Sequence, residues 1–128
     1  MSGTAAEATT RYQRTFPGRA DQVRQVRHEL ARHLAGCPAA ADAVLIASEL
    51  ATNAAVHSAS QGQFFTVRCQ ADPGHVRIEV EDLGGPWQPR LPGDRPHGLD
   101  IIGALAGSGH WGIDGDQAGR TAWARLTW

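Results

Sequence analysis

Three short clusters of residues in this chain have types and spacings suited to chemistry. Glu49-Leu50-Ala51-Thr52-Asn53 lies in a stretch rich in alanine and leucine, Asp82-Leu83-Gly84 closes an alternating segment, and Gly98-Leu99 follows a proline-rich one. If the first is helical, Glu49 and Asn53 are neighbours, with β-carbons about 5–6 Å apart. An amide oxygen there can ligate a magnesium ion, which prefers hard oxygen donors and keeps several waters. The carboxylate beside it can orient or deprotonate an attacking water or hydroxyl. His57, one turn further on, falls on the same face and could reach a phosphate. Together they suit phosphoryl transfer.

Asp82 stands where a strand runs into a loop, the usual place for a ligand to be held. Its carboxylate can accept a hydrogen bond from the exocyclic amine of adenine, which the 6-oxo group of guanine cannot donate. Gly84 would let backbone come close to the base, and Trp87 could line the same pocket. Gly98-Leu99 opens a helix, whose first N–H groups and dipole form an anion site. Each cluster alone also fits a plainer role: a polar stripe on a solvated helix, a turn aspartate, an ordinary loop glycine.

Composition narrows the choices. All 12 basic residues are arginine, so a G-x-x-x-x-G-K-[ST] phosphate loop and a Schiff-base lysine are both excluded. A net charge of −1 lacks the basic footprint of a nucleic-acid binder. No apolar run is long enough to cross a bilayer. The first ten residues have neither the charged nor the apolar region of a signal peptide; a disordered leader over 1–10 and a single domain over 11–128 are expected. Two cysteines, Cys37 and Cys69, are too few for a disulfide framework and read as small buried hydrophobes of a reduced, cytoplasmic protein. His28 and His33 are spaced wrongly for one helix face and no third ligand completes a metal site.

The elements that must position these clusters follow from periodicity. Tyr12–Phe16 predicts a short strand closed by Pro17-Gly18. Val23, Val26, Leu30 and Leu34 predict a helix from Asp21, stopped by Gly36 with Pro38 beyond. A second helix is predicted from about Ala39 to His57, with Ile46, Leu50 and Ala54 on one stripe and Glu49, Asn53 and His57 on another. Phe65, Val67 and Cys69, then Val76, Ile78 and Val80, alternate against polar residues across Ala71-Asp72-Pro73-Gly74, a hairpin. Pro86, Pro89, Pro92 and Pro96 make Gly84–His97 a loop. Gly98–Leu105 predicts a third helix, and His110–Ile113 with Arg120–Trp128 two closing strands. The tryptophans are expected to pack core and sheet. Arg24, Arg27 and His28 form a basic flank, either a solvated face or a docking surface for an acidic partner. The sum is an α+β two-layer sandwich, its mixed, mostly antiparallel sheet covered on one face by about three helices.

Taken in order, the clusters resemble the motifs of the GHKL (Bergerat-fold) ATP-binding superfamily, and within it the small actinomycete anti-sigma factors and serine/threonine-kinase-like ATP-binding proteins. Ser48-Glu49-Leu50-Ala51-Thr52-Asn53-Ala54-Ala55-Val56-His57-Ser58 is similar to the N box. Val80-Glu81-Asp82-Leu83-Gly84-Gly85-Pro86-Trp87 resembles the first glycine box and His97-Gly98-Leu99-Asp100-Ile101-Ile102 the second. Gly119-Arg120-Thr121-Ala122-Trp123-Ala124 resembles the closing hairpin, so the likeness covers roughly Arg14 to Leu126. The resemblance implies Asn53 as magnesium ligand and Glu49 as catalytic base. It also implies Asp82 on the adenine amine, Gly84 making room for the base with Thr121 beneath it, and Gly98 and Leu99 closing over the phosphates.

Two positions depart from the family pattern. Pro86 replaces the last glycine of the first box and Pro96 a glycine before Gly98, and proline has no N–H to give a phosphate. The function the resemblance implies is an ATP- and magnesium-binding anti-sigma-type regulator. Its partners would be a sigma factor and an antagonist protein that it phosphorylates on serine or threonine, with a homodimer as a further implication. The alternative, which Pro86 and Pro96 favour, is a protein-binding module on the same fold without catalysis.

Overall fold

The computed structural model describes residues 9–85, 99–106 and 110–128. Five strands form one sheet in the order β1-β2-β3-β5-β4: β1 Thr10–Pro17, β2 Phe64–Asp72, β3 His75–Asp82, β4 Trp111–Asp116 and β5 Gly119–Thr127. Every pairing among the described residues is antiparallel. Three helices, α1 Gln22–His33, α2 Ala40–His57 and α3 Leu99–Ala106, make the second layer of the expected α+β sandwich.

The strand alternation decides which face the helices cover. Phe65, Val67 and Cys69 of β2, Val76, Ile78 and Val80 of β3, and Ala122, Ala124 and Leu126 of β5 are all buried. Opposite them Val23, Val26 and Leu30 of α1 and Ile46, Leu50 and Ala54 of α2 are buried too, as their 3.6-residue spacing requires. Phe16 and Phe65, paired across β1 and β2, stack at 5.6 Å between ring centroids and are fully enclosed. Phe65→Ala should therefore lower unfolding stability by about 3–5 kcal/mol, read from the urea midpoint; a shift below a fifth of that would remove the pair from the core.

Several boundaries differ from the sequence expectation. Strand β1 begins at Thr10, inside the span expected as leader; residues 1–8 lie outside the described residues. The β2–β3 turn tightens to Pro73-Gly74, with Gly74 at φ 86°. Strand β4 runs three residues further, to Asp116. Asp21 precedes α1 without capping it, because its carboxylate accepts from Arg19 Nε at 3.2 Å instead.

Of the tryptophans, Trp111 packs against the core and Trp123 against the sheet, as expected. Trp123 lies on the open face of the sheet, with the Arg77 guanidinium 4.4 Å over its ring; Trp128 is 48% exposed; Trp111 is only partly buried against the core; Trp87 lies outside the described residues. The open face also carries an ion-pair network: Arg68 pairs with Glu81 and Glu79, and Arg77 with Glu79. Cys37 and Cys69 are both free thiols, and burial pushes the Cys69 thiol up to about 12, with Cys37 adding to the shift. No helix among the described residues is long and apolar enough to cross a membrane.

Candidate functional site

Helix α2 carries Glu49, Asn53 and His57 at successive turns. It has no side-chain cap at Ala39 and gains its stability from packing, since Ala43, Ile46, Ala47, Leu50, Ala51, Ala54 and Ala55 are all buried. The polar stripe is not a solvated face. Asn53 is 3% exposed, and Glu49 and His57 are half-buried. Beside them Thr52 Oγ1 donates to the Ser48 carbonyl at 2.8 Å, and Arg27 Nη1 of α1 donates to Ser48 Oγ at 3.1 Å. One member of the expected basic flank therefore reaches the residue next to Glu49, while Arg24 and His28 are exposed.

The end of α2 is laced to the end of β3. Ser58 Oγ donates to the Ala54 carbonyl at 2.7 Å and accepts from the Ser60 N–H at 2.9 Å. Ser60, fully buried, accepts from the Leu83 N–H at 2.8 Å, and the Ala59 N–H donates to the Gly84 carbonyl at 2.9 Å. These bonds hold the Asp82-Leu83-Gly84 turn against the helix terminus that presents Asn53 and His57. Two clusters 29 residues apart in sequence, from Asn53 to Asp82, are thereby carried on joined segments.

Asp82 is 5% exposed. Its Oδ1 accepts the Gly84 N–H at 2.6 Å, and its Oδ2 lies 3.5 Å from Arg120 Nε. Burial raises its carboxyl above the usual range, and the Gly84 N–H and the Arg120 guanidinium partly offset that rise. A carboxylate kept so far from water, with one oxygen directed away from its own turn, is suited to reading a donor on a ligand.

Gly84 makes a close approach within the fold itself. Its φ is 80°, and a β-carbon there would lie 2.4 Å from the Gln117 carbonyl oxygen of the β4–β5 turn. The close approach it permits is therefore by backbone of its own chain, and Gly85 N–H fastens the same turn by donating to Gln117 at 2.8 Å. Gly84→Ala should cost at least about 2 kcal/mol and lower the thermal midpoint. Gly119→Ala, with open space at its β position, should leave the midpoint nearly unchanged; equal effects would sink this account.

Thr121 and Arg120 stand on opposite faces of β5. Asp82 faces Arg120 across the ladder, and Thr121 faces Glu81. Ala122, Ala124 and Leu126 point into the core, so Thr121 shares the open face with Trp123, and Arg120 holds the inward position. The parity of those three apolar residues was the signal for this in the sequence. Arg120, which no motif singled out, is the neighbour of Asp82. Gly98 lies outside the described residues, as do Trp87, Pro86 and Pro96; Leu99 begins α3.

No group of three or more histidine, cysteine or carboxylate side chains among the described residues could hold a metal. One buried amide with one carboxylate a turn away suits instead a magnesium ion brought by a polyphosphate, which supplies the remaining oxygens with water.

A family model described as "Histidine kinase-like ATPase domain" matches residues 16–114. No curated protein matches the chain. Among solved structures, the RsbU and RsbW domains of Rv1364c from Mycobacterium tuberculosis match with a TM-score of 0.67 and 23% identity, over 92% of this chain and 32% of that one. The chain thus spans about a third of the length of that structure, and the likeness is one of fold.

Proposed function

Because the chain belongs to the histidine kinase-like ATPase family, we propose that it is an ATP- and magnesium-dependent regulator of anti-sigma type, phosphorylating a serine or threonine of an antagonist protein. The observation that supports this best is the buried Asn53 amide, one turn from Glu49, on the helix end that Ser58, Ser60 and Gly84 tie to the turn of the buried Asp82. A solvated polar stripe would show none of that enclosure.

In this reading Asp82 Oδ2 accepts the adenine exocyclic amine and fixes the base. The Asn53 amide oxygen holds the magnesium ion, which screens phosphate charge when bound. Glu49 takes the proton of the attacking hydroxyl, and its place on a rigid, packed helix lets it do so without reorganisation. His57, one turn beyond Asn53, is within reach of a phosphate oxygen, and Gly98 with the first turn of α3 at Leu99 supplies backbone donors to the phosphates. A sigma factor is the regulated partner, the basic flank of α1 offering a surface for an acidic segment, and the active form is a homodimer in a cytoplasmic setting.

The test is incubation with γ-labelled ATP, magnesium and candidate antagonist proteins. Label on a serine or threonine of one of them supports the reading. ATP binding without transfer to any partner would leave a nucleotide-gated binding module, the function that Pro86 and Pro96 favour.

A further inference from the structure

Arginine is an unusual residue to point from a sheet into the helix layer. The β3–β5 ladder nevertheless aims Arg120 there, in line with Ala122, Ala124 and Leu126, and directly opposite Asp82. The Arg120 side chain is 11% exposed and that of Asp82 is 4% exposed. Its Nε lies 3.5 Å from Asp82 Oδ2, and its Nη2 donates to the Gly84 carbonyl at 3.3 Å. Asp82 Oδ1 already accepts the Gly84 N–H. Oδ2, which the turn does not use, is the oxygen the guanidinium faces.

We propose that Arg120 sets the affinity of the base site: its guanidinium holds Asp82 Oδ2 in the nucleotide-free protein and yields that oxygen to the exocyclic amine when the nucleotide binds. This rests on the assignment of Asp82 as the base acceptor. The guanidinium meets the carboxylate with a full opposite charge and the neutral amine does not, so the amine does not win this oxygen alone. The remainder of the nucleotide must supply the difference, which makes the site selective for ligands carrying both a 6-amino base and phosphates. Release of Arg120 leaves no stranded acceptor, because the Gly84 carbonyl keeps its bond from the Ala59 N–H. A long, flexible side chain at the strand end, next to the β4–β5 turn, can swing toward solvent.

The experiment compares ATP affinity by calorimetry in the wild-type protein, R120T, D82N and the double variant. A guanidinium that occupies the oxygen nine-tenths of the time raises the apparent dissociation constant about tenfold, so R120T should bind ATP about tenfold more tightly. That gain should vanish on the D82N background. D82N with unaltered ATP binding overturns the Asp82 assignment. D82N that weakens binding while R120T binds no more tightly than wild type overturns this inference alone. Should R120T fail to fold, R120M keeps an unbranched apolar stem without a donor for Asp82 and carries the same expectation. The wild-type protein gives a direct readout: the Arg120 Nε–H should be protected from solvent exchange when free and exchange readily with saturating ATP, and unchanged protection overturns the proposal.

Discussion

Glu49→Gln is expected to keep ATP binding within about threefold of wild type and to lower phosphoryl transfer to the antagonist by about 10²–10⁴-fold. The substitution conserves size and helix propensity on α2 and removes only the basic lone pair. Glu49 is half-buried, one turn before the fully enclosed Asn53. Its side chain is therefore neither sealed in the core nor fully in water, as a base that must meet an incoming hydroxyl requires. A base acts on that proton in the transition state and contributes little to holding the nucleotide, so the loss should fall on turnover rather than affinity. Measured by label transfer and calorimetry together, an unchanged transfer rate would remove Glu49 from the chemistry. Equal losses in both would make it a binding residue.

Asp82→Asn should weaken ATP binding by about 10–100-fold, the range for a hydrogen bond to a charged group, and narrow the preference for adenine over guanine nucleotides. The fold should survive. Asparagine retains an oxygen for the Gly84 N–H, and Arg120 retains the Gly84 carbonyl. The pH dependence gives the same test independently. Burial raises the carboxyl of Asp82 in the folded protein, so the folded chain binds that proton more readily than the unfolded chain. Its favourable contribution is complete below the unfolded value of about 3.9 and is lost as pH rises through the raised folded value. Ionised Asp82 at neutral pH thus costs stability, and the difference in thermal midpoint should move in favour of D82N as pH increases from about 4 toward 7. A midpoint difference that moves the other way would make Asp82 a structural anchor.

Much of the scaffold was legible in the chain because its elements are strongly periodic. Val23, Val26 and Leu30, and then Ile46, Leu50 and Ala54, could bury one stripe only as helices, and the β2–β3 alternation left one pairing that puts Phe65 and Val80 on the same side. Boundaries were less legible. Strand β4 extends to Asp116 because Gly112 and Gly115 fit beside Trp123 and Gly119, a matter of partners rather than of local preference.

Of the site, Glu49 with Asn53 could be read from spacing alone, since four residues on a helix are neighbours in any fold. The setting of Asp82 could not. Its neighbour Arg120 is 38 residues away in sequence and arrives by strand register, where a shift of one residue reverses the face of every side chain. That single-residue parity separates Arg120 from Thr121, and the contact of Gly84 with Gln117 is equally a product of the ladder.

The sequence by itself determined the layers of this protein, the absence of any lysine-based phosphate loop, and the carboxylate, amide and aspartate of the candidate site, because those depend on residue type and local period. Only the tertiary structure decided that the Asn53 amide is enclosed, that Gly84 makes way for the chain's own turn, and that a buried guanidinium faces the Asp82 carboxylate. Those are properties of space between distant segments, and burial and cross-strand register create them only when the sheet has closed on the helices.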